Sequence, residues 1–306
     1  MSGDTAQVCE ACSAPADVHG VPGGTPDATG SDAGAARYRS ATFAAMYLWT
    51  EWADLLLPDD RSVTDPGSLP PVAPGSFYRR CADLLAGWVT AAGVVPLSWC
   101  DVGGATGRLV HEVASRLDSL VEPVLLEPSP VLSGWGRRLL TGDPGDDPIA
   151  VPVPSTVVAP RLVAVPRERW PAAVDGVTVH NAYPETLVEL GAAFDVVSCL
   201  NVVDRVADPA ALVATVERLV TPSGVLILAC PFDFREQYTP PARWVTDLRE
   251  LVALRRWDVL GEAQLRYGFR QYDRRVNVYS TQVLALRRRA WATPVPGGRI
   301  VAGCVP

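Results

Sequence analysis

The run Asp101-Val102-Gly103-Gly104-Ala105-Thr106-Gly107 constrains this chain more than any other segment. It follows PLSWC, an apolar run of strand length, and precedes a helical pattern with Leu109, Val110, Val113, Ala114 and Leu117 on one face. Glycines at such a strand-to-helix turn adopt conformations closed to other residues and let the main chain approach a ligand closely. The alternation then continues. PVLLEP (123–128), GVTVHN (176–181), FDVVSCLN (194–201) and VLILACPF (225–232) read as strands. Asp208 and Pro209 supply the N-cap and first residue of a helix whose apolar face is Leu212, Val213, Val216, Leu219 and Val220. A helix around 245–256 and the strand-like LGEAQLRY and NVYSTQVLALRR close the pattern. This order predicts an α/β fold on a mostly parallel sheet.

The flanks read differently. Residues 1–36 are rich in Gly, Ala, Ser, Asp and Pro without a hydrophobic period, and predict a flexible tail. Residues 37–95 predict a helical cap, in which RYRSATFAAMYLWTEWADLLL stops at Pro58 and FYRRCADLLAGWVTAAG follows a Pro/Gly-rich link at 58–76. The sheet-bearing unit then spans 96–289, with an irregular, proline-rich insertion at 134–176 that carries short strand-like pieces, STVVA and RLVAV. Residues 290–306 predict a second tail.

Composition removes several chemistries. The chain has no lysine, so all 27 basic residues are arginine, and Schiff-base, pyridoxal and phosphate-loop lysines are excluded. A net charge of −7 argues against a nucleic-acid binder that relies on a basic face. Seven scattered cysteines, several within apolar runs, fit buried free thiols in a reducing compartment. No window approaches a membrane span and no secretory leader pattern opens the chain, so a cytoplasmic, membrane-free protein is expected. Cys9 and Cys12 form a lone CxxC near His19; with no second pair to complete four ligands, no metal is expected.

Asp101, the glycine-rich turn, Glu127 at the end of the next strand and Asn181 after the third fall at the carboxyl ends of successive strands. A carboxylate such as Glu127 can accept both ribose hydroxyls, and an amide such as Asn181 can face an adenine edge; a surface acid and a turn former would look the same. In this order the elements resemble a class I S-adenosylmethionine-dependent methyltransferase. The resemblance implies a Rossmann-like seven-stranded, mostly parallel sheet with an antiparallel last strand, helices on both faces and an N-terminal helical cap. It implies that Gly103, Gly104 and Gly107 flank the methionyl part of S-adenosylmethionine and that Asp101 organises the turn. Glu127 would hold the ribose, Asn181 and Ala182 would sit at the adenine, and Leu200 would lie beside the cofactor.

The segment SCLNVVDRVADP (198–209) ends the fourth strand, and Asn201 and Asp204 share a face if the chain turns helical there. An imidazole acceptor needs its reacting nitrogen unprotonated. A carboxylate that accepts the N–H of the other nitrogen fixes that tautomer. Asp204 suits this role with Asn201 as a second hydrogen-bonding group, although Asp204 could equally pair with Arg205. The NxxDR run is similar to that of DREV-type protein-histidine methyltransferases and of the ovothiol-pathway module that methylates 5-thiohistidine. The second likeness extends through PFDFREQYTPPARW (231–244) and FRQYDRRVNVYSTQVLALRR (269–288) and covers about 38–289. This chain departs from it at SCLN for AAN, DF for TW, and in the glycine-rich turn.

The reading is thus an imidazole N-methyltransferase with a small histidine-derived substrate, acting as monomer or homodimer. Arg270, Arg274 or Arg275 could clamp a substrate carboxylate. Asn277 would stand near the imidazole, and Glu236 and Tyr238 would cover the substrate or bind its amino group. Tyr47, Trp49 and Trp52 would line a lid or simply pack in the core. His111 reads as solvated, and His180 as a neighbour of the adenine. The rivals are histidine in a peptide, favoured by an open groove; a small-molecule O-methyltransferase, for which no histidine falls after the fourth or fifth strand; and a non-catalytic cofactor binder.

Overall fold

A computed structural model of the chain describes residues 40–58, 73–143, 145, 149–155, 159–272 and 275–289. Cys9, Cys12, His19 and Arg274 lie outside the described residues, as do the tails and most of STVVA. The first helix, α1 (Ala41–Leu56), starts at Ser40, whose side-chain oxygen accepts the Phe43 amide hydrogen at 3.2 Å. Its residues Leu48, Trp52 and Leu56 are each at most 1% exposed. Burial of that kind contributes about 1.5–3 kcal/mol per large apolar side chain, so α1 is docked as firmly as any core helix. α2 (Ser76–Ala91) buries Phe77, Cys81, Leu85 and Val89.

Seven strands form the main sheet: β1 (Ser98–Val102), β2 (Glu122–Leu126), β5 (Thr178–His180), β6 (Phe194–Leu200), β7 (Val220–Cys230), β8 (Trp257–Tyr272) and β9 (Arg275–Arg288). Their order is β5-β2-β1-β6-β7-β9-β8. The first five run parallel, and β9 is antiparallel to both of its neighbours. This is the mostly parallel sheet that the element order predicts, with the antiparallel closing strand that the resemblance implies. Successive β1 residues point to opposite faces, and all of them are buried because helices cover both sides. Trp99 packs toward α2 and α3 (Arg108–Ala114), with Leu109 and Val113. Cys100 and Val102 pack toward α5 (Pro184–Glu189) and α6 (Pro209–Arg218), with Leu187, Leu212 and Val216.

Two expectations are corrected. The segment 134–176 is not irregular throughout, because α4 (Pro130–Leu140) runs through its start, capped by Ser129. Glycines 134 and 136 obscure that helix, yet a Cβ at Gly136 would lie 2.5 Å from Leu125 Cδ2, so the glycine is a packing choice. The strand-like RLVAV of the same segment is β4 (Arg161–Val165), as expected, paired antiparallel with β3 (Ile149–Val153), and both pack with α1 and α4 in a third core cluster. The helix expected around 245–256 is two short 3-10 turns, Leu248–Glu250 and Leu254–Arg256. A capping box from Asp247 to Glu250 opens the first turn, and Leu248 donates its amide hydrogen to Gln282 Oε1 on β9 at 2.9 Å. Sheet anchoring therefore replaces helix propagation.

Strand order reverses on either side of β1 and β6, where an open α/β sheet leaves a crevice above the strand ends. The pairing of β7 with β9 ends at Cys230↔Gln282, whereas β8 and β9 continue together to Tyr272↔Arg275. That two-stranded overhang, together with α1, roofs the crevice.

Candidate active site

A cavity of about 320 Å³ occupies this crevice, within the range of about 300–1,000 Å³ typical of small-molecule sites. One side is built from strand ends. Gly103, Gly104 and Ala105 follow β1, Glu127 follows β2, and Leu200 and Asn201 end β6. The turn is tied down by the Gly103 amide, which donates to the Leu126 carbonyl at 2.7 Å. Gly103 has φ 68° and Ala105 φ 50°, left-handed values that Ala adopts only when its surroundings compel it. The compelling contact is Glu127, whose Oε2 accepts the Ala105 amide hydrogen at 3.1 Å. Its Oε1 accepts that of Ser129 at 2.8 Å.

Burial pushes the Glu127 carboxyl up to about 7, against the pull of those two amides. Asp101 also stands at about 7 by burial, with the Ser198 hydroxyl donating to Oδ1 at 2.7 Å and opposing the rise. The opposite side is aromatic. Phe43 and Tyr47 come from α1, Tyr78 from α2, Tyr267 and Phe269 from β8, and Tyr279 from β9. Tyr47 and Phe269 meet edge-on, with ring centroids 5.2 Å apart. Arg205, Arg235 and Tyr238 complete the rim, with the Arg205 guanidinium 5.8 Å from the Tyr238 ring.

The end of β6 departs from an ordinary helix entry. Asn201 has φ 59°, and its amide donates to the Ala229 carbonyl at 2.8 Å. Its side-chain Oδ1 is buried without a hydrogen-bond partner among the described residues. A 3-10 turn, Val203–Arg205, follows. It carries Asp204 behind the cavity wall, fully buried, while Arg205 reaches the cavity. Asp204 Oδ2 accepts the Asp233 amide hydrogen at 3.0 Å and lies 3.6 Å from Arg205 Nη1. Burial raises its carboxyl above the usual range, and Arg205 offsets part of that rise.

Of the residues singled out in the sequence, Asp101, Gly103, Gly104, Glu127, Ala182, Leu200, Asn201, Tyr238 and Tyr47 line the cavity. Others do not. Gly107, at φ 86°, caps α3, and a Cβ there would meet Leu140 Cδ1 at 2.6 Å, so it serves helix packing. Asn181 is an exposed residue whose Nδ2 donates to the Glu127 carbonyl at 3.0 Å, which makes it a brace for that strand end. Arg270 is 3% exposed with its guanidinium 4.6 Å over the Trp49 ring, on the strand face opposite Phe269, so it is a core residue and no clamp. Glu236 is exposed and away from the lining. Asn277 sits one residue removed, donating to the Tyr279 hydroxyl at 2.9 Å. Trp49 and Trp52 belong to the core under α1. His111 is half-buried, 5.3 Å from the Trp52 ring, rather than solvated. His180 is half-buried and outside the lining.

Tyr267, Phe269 and Gln271 share the cavity face of β8 by the period of a strand. That alternation is present in the sequence but obscured by the neighbouring arginines. Glu51 carries no signal there beyond being one of two acids, with Asp54, in an otherwise apolar helix.

The chain belongs to the methyltransferase domain family, whose model matches residues 76–287. It is an S-adenosylmethionine-dependent methyltransferase. No curated protein matches it. Among solved structures it is similar to magnesium protoporphyrin IX methyltransferase from Synechocystis PCC 6803 with bound SAM, at 17% identity and TM-score 0.44, covering 81% of this chain and 97% of that one. It is similar also to precorrin-6y C5,15-methyltransferase from Geobacter metallireducens, at 14% identity and TM-score 0.40, covering 68% of this chain and 89% of that one. These likenesses are remote, and the assignment rests on the family match.

The residues present fit the cofactor. A Cβ at Gly103 would lie 2.5 Å from Val202 Cγ2, and one at Gly104 2.6 Å from Leu125 Cδ1. Only glycine can form this floor, which lets a ligand lie against the main chain. Glu127 and Asp101 offer carboxyl groups on the same side. No helix among the described residues is long and apolar enough to cross a membrane.

Proposed function

We propose that the chain methylates a ring nitrogen of an imidazole, that of 5-thiohistidine or a related free histidine derivative. The observation that carries this reading is the Asn201 Oδ1, buried and unpartnered on a cavity-lining residue held at φ 59°. An unpaired buried acceptor costs about 1–3 kcal/mol, which a ligand N–H would recover. An imidazole bound by the N–H of one nitrogen presents the lone pair of the other, so this single contact selects the reactive tautomer. Asp204 stands behind Asn201 and supports the segment through Asp233 and Arg205. The Tyr47, Tyr267 and Phe269 walls suit a flat ring.

Arg235 gives the free amino acid its anchor. It lines the cavity and shares Asp233 with Arg205, leaving guanidinium donors for a carboxylate. A histidine inside a peptide lacks that carboxylate. S-Adenosylmethionine supplies the electrophilic methyl group when bound. The chain's own part is to orient the acceptor nitrogen, exclude water with the aromatic roof and hold the remaining N–H.

The experiment is a calorimetric titration of 5-thiohistidine, histidine and a histidine-containing peptide into protein loaded with S-adenosylhomocysteine. Binding of 5-thiohistidine that weakens about tenfold or more in Asn201→Ala supports the reading. Equal binding by wild type and variant, or binding of the peptide alone, contradicts it.

A further inference from the structure

The geometry points to Glu51 as a positioning residue through which the cofactor site distinguishes the cationic methyl donor from its neutral demethylated product. The inference rests on the family assignment and on no particular acceptor. Glu51 belongs to α1, outside the segment that matches the family, and its side chain is 0% exposed. Its Oε2 accepts hydrogen bonds from the Thr106 amide, at 3.2 Å, and from the Thr106 hydroxyl. Its Oε1 accepts the Tyr78 hydroxyl at 3.1 Å. Thr106 follows Ala105 in the glycine-rich turn, and Tyr78 lines the cavity. The carboxyl is thus wedged between the cofactor turn and the cavity wall.

Asp101 and Glu127 line the cavity and Glu51 lies behind its lining, against the turn; all three acids are buried, and none has an ion-pair partner among the described residues. The surrounding groups leave that charge uncompensated. Arg108 reaches the Glu51 carbonyl oxygen, but its guanidinium is taken by Asp54 and Glu112, each at 2.7 Å. From β1, Asp101 disfavours a negative Glu51, whereas the Tyr78 hydroxyl from α2 donates to the carboxyl and favours its ionised form without supplying a positive charge; Tyr267 on β8 is likewise uncharged. Arg270 on β8 lies over the Trp49 ring, 4.6 Å from its centroid. On α4, Arg137 donates to the Val179 carbonyl and Arg138 lies over Trp135 and Trp170, while β3 brings no ionisable group.

The donor carries a sulfonium where its product carries a neutral thioether, and the two molecules otherwise match. A cation beside buried carboxyls favours their ionised form, whereas a neutral ligand does not. Burial pushes Glu51 up to about 8, so it ionises only above neutral pH. Below that range it treats donor and product alike. As pH rises through it, the carboxylate holds the donor more tightly and leaves the product unaffected. This ratio sets how readily fresh donor displaces spent product.

The test measures Kd for S-adenosylmethionine and for S-adenosylhomocysteine by calorimetry on the full chain. Between about pH 7.5 and about pH 9, the preference for the donor should rise about three- to tenfold in wild type and stay nearly flat in Glu51→Gln. Tyr78→Phe removes one donor to the carboxylate while keeping the acid, and should move the rise to higher pH. A purely structural role for Glu51 would weaken both ligands equally and leave the pH dependence of their ratio intact in Glu51→Gln. That outcome, a flat ratio in wild type, or an unmoved rise in Tyr78→Phe would each overturn the inference.

Discussion

Glu127 Oε2 accepts the Ala105 amide hydrogen at 3.1 Å, so the acid that ends β2 fixes the turn that follows β1. Because Ser129 also donates to Glu127, at 2.8 Å, one carboxyl organises both strand ends of the cofactor side. Glu127→Ala removes hydrogen bonds to a group that can be charged, each worth about 1.5–3 kcal/mol. The variant should bind S-adenosylhomocysteine about 10- to 100-fold more weakly. An unchanged Kd by calorimetry would show that the carboxyl is a bystander.

The floor of the turn admits no side chain. At Gly104 a Cβ would lie 2.6 Å from Leu125 Cδ1 and 2.9 Å from Asp101 Cγ. Gly104→Ala should lower stability by about 1–3 kcal/mol through overpacking and weaken cofactor binding. Gly87, exposed on α2 with no atom within 4 Å of where an added Cβ would sit, is the control. Gly87→Ala should raise the melting temperature, since alanine in a helix interior is favoured by about 0.5–1 kcal/mol. Similar melting shifts for the two variants would refute this packing account.

Stability of the ligand-free chain should fall as pH rises from the ordinary carboxyl range toward about 8. Burial raises Glu51, Asp101 and Glu127 to about 8, 7 and 7, above their unfolded values, so the folded chain holds more protons there. Their contribution is complete below the unfolded pKa values of about 4 and is lost as pH climbs through the folded ones. Melting curves across this window should flatten in Glu51→Gln. A wild-type melting temperature that rises over the same window would contradict the assignment.

The two arginines separate binding from packing. Arg235→Ala should raise the KM for the amino-acid acceptor by about tenfold, the loss of a charge-assisted pair, while cofactor Kd stays fixed. Arg270→Ala should instead lower the melting temperature, because a desolvated cation–π pair of about 2 kcal/mol with Trp49 is lost. Steady-state kinetics and thermal melts on both variants distinguish these roles, and an exchange of the two phenotypes would reverse them.

Much of the fold is legible because parallel strands and their helices write different periods into the chain. Trp99 and Cys100 face opposite helical layers, as strand alternation requires. Short-range geometry is less visible. Asn201 and Asp204 are three residues apart, a spacing that shares a face only in a helix. The left-handed Asn201 and the 3-10 turn after it send Asp204 inward and Arg205 to the cavity. In the same way the charge of Arg270 suggests a ligand clamp, when the pleat of β8 sets it opposite Phe269. Glu51 is illegible because only the folded contact with Thr106 distinguishes it from an exposed helical acid.

The most direct measurement of the imidazole reading is turnover. Protein is incubated with S-adenosylmethionine and, separately, 5-thiohistidine, histidine, a histidine-containing peptide and a phenolic acceptor, and the products are resolved by mass spectrometry. The account predicts a gain of one CH₂ on a ring nitrogen of 5-thiohistidine or a close free relative, largely lost in Asn201→Ala. Methylation of the phenolic acceptor alone, or full activity on the imidazole without the Asn201 amide, would contradict it.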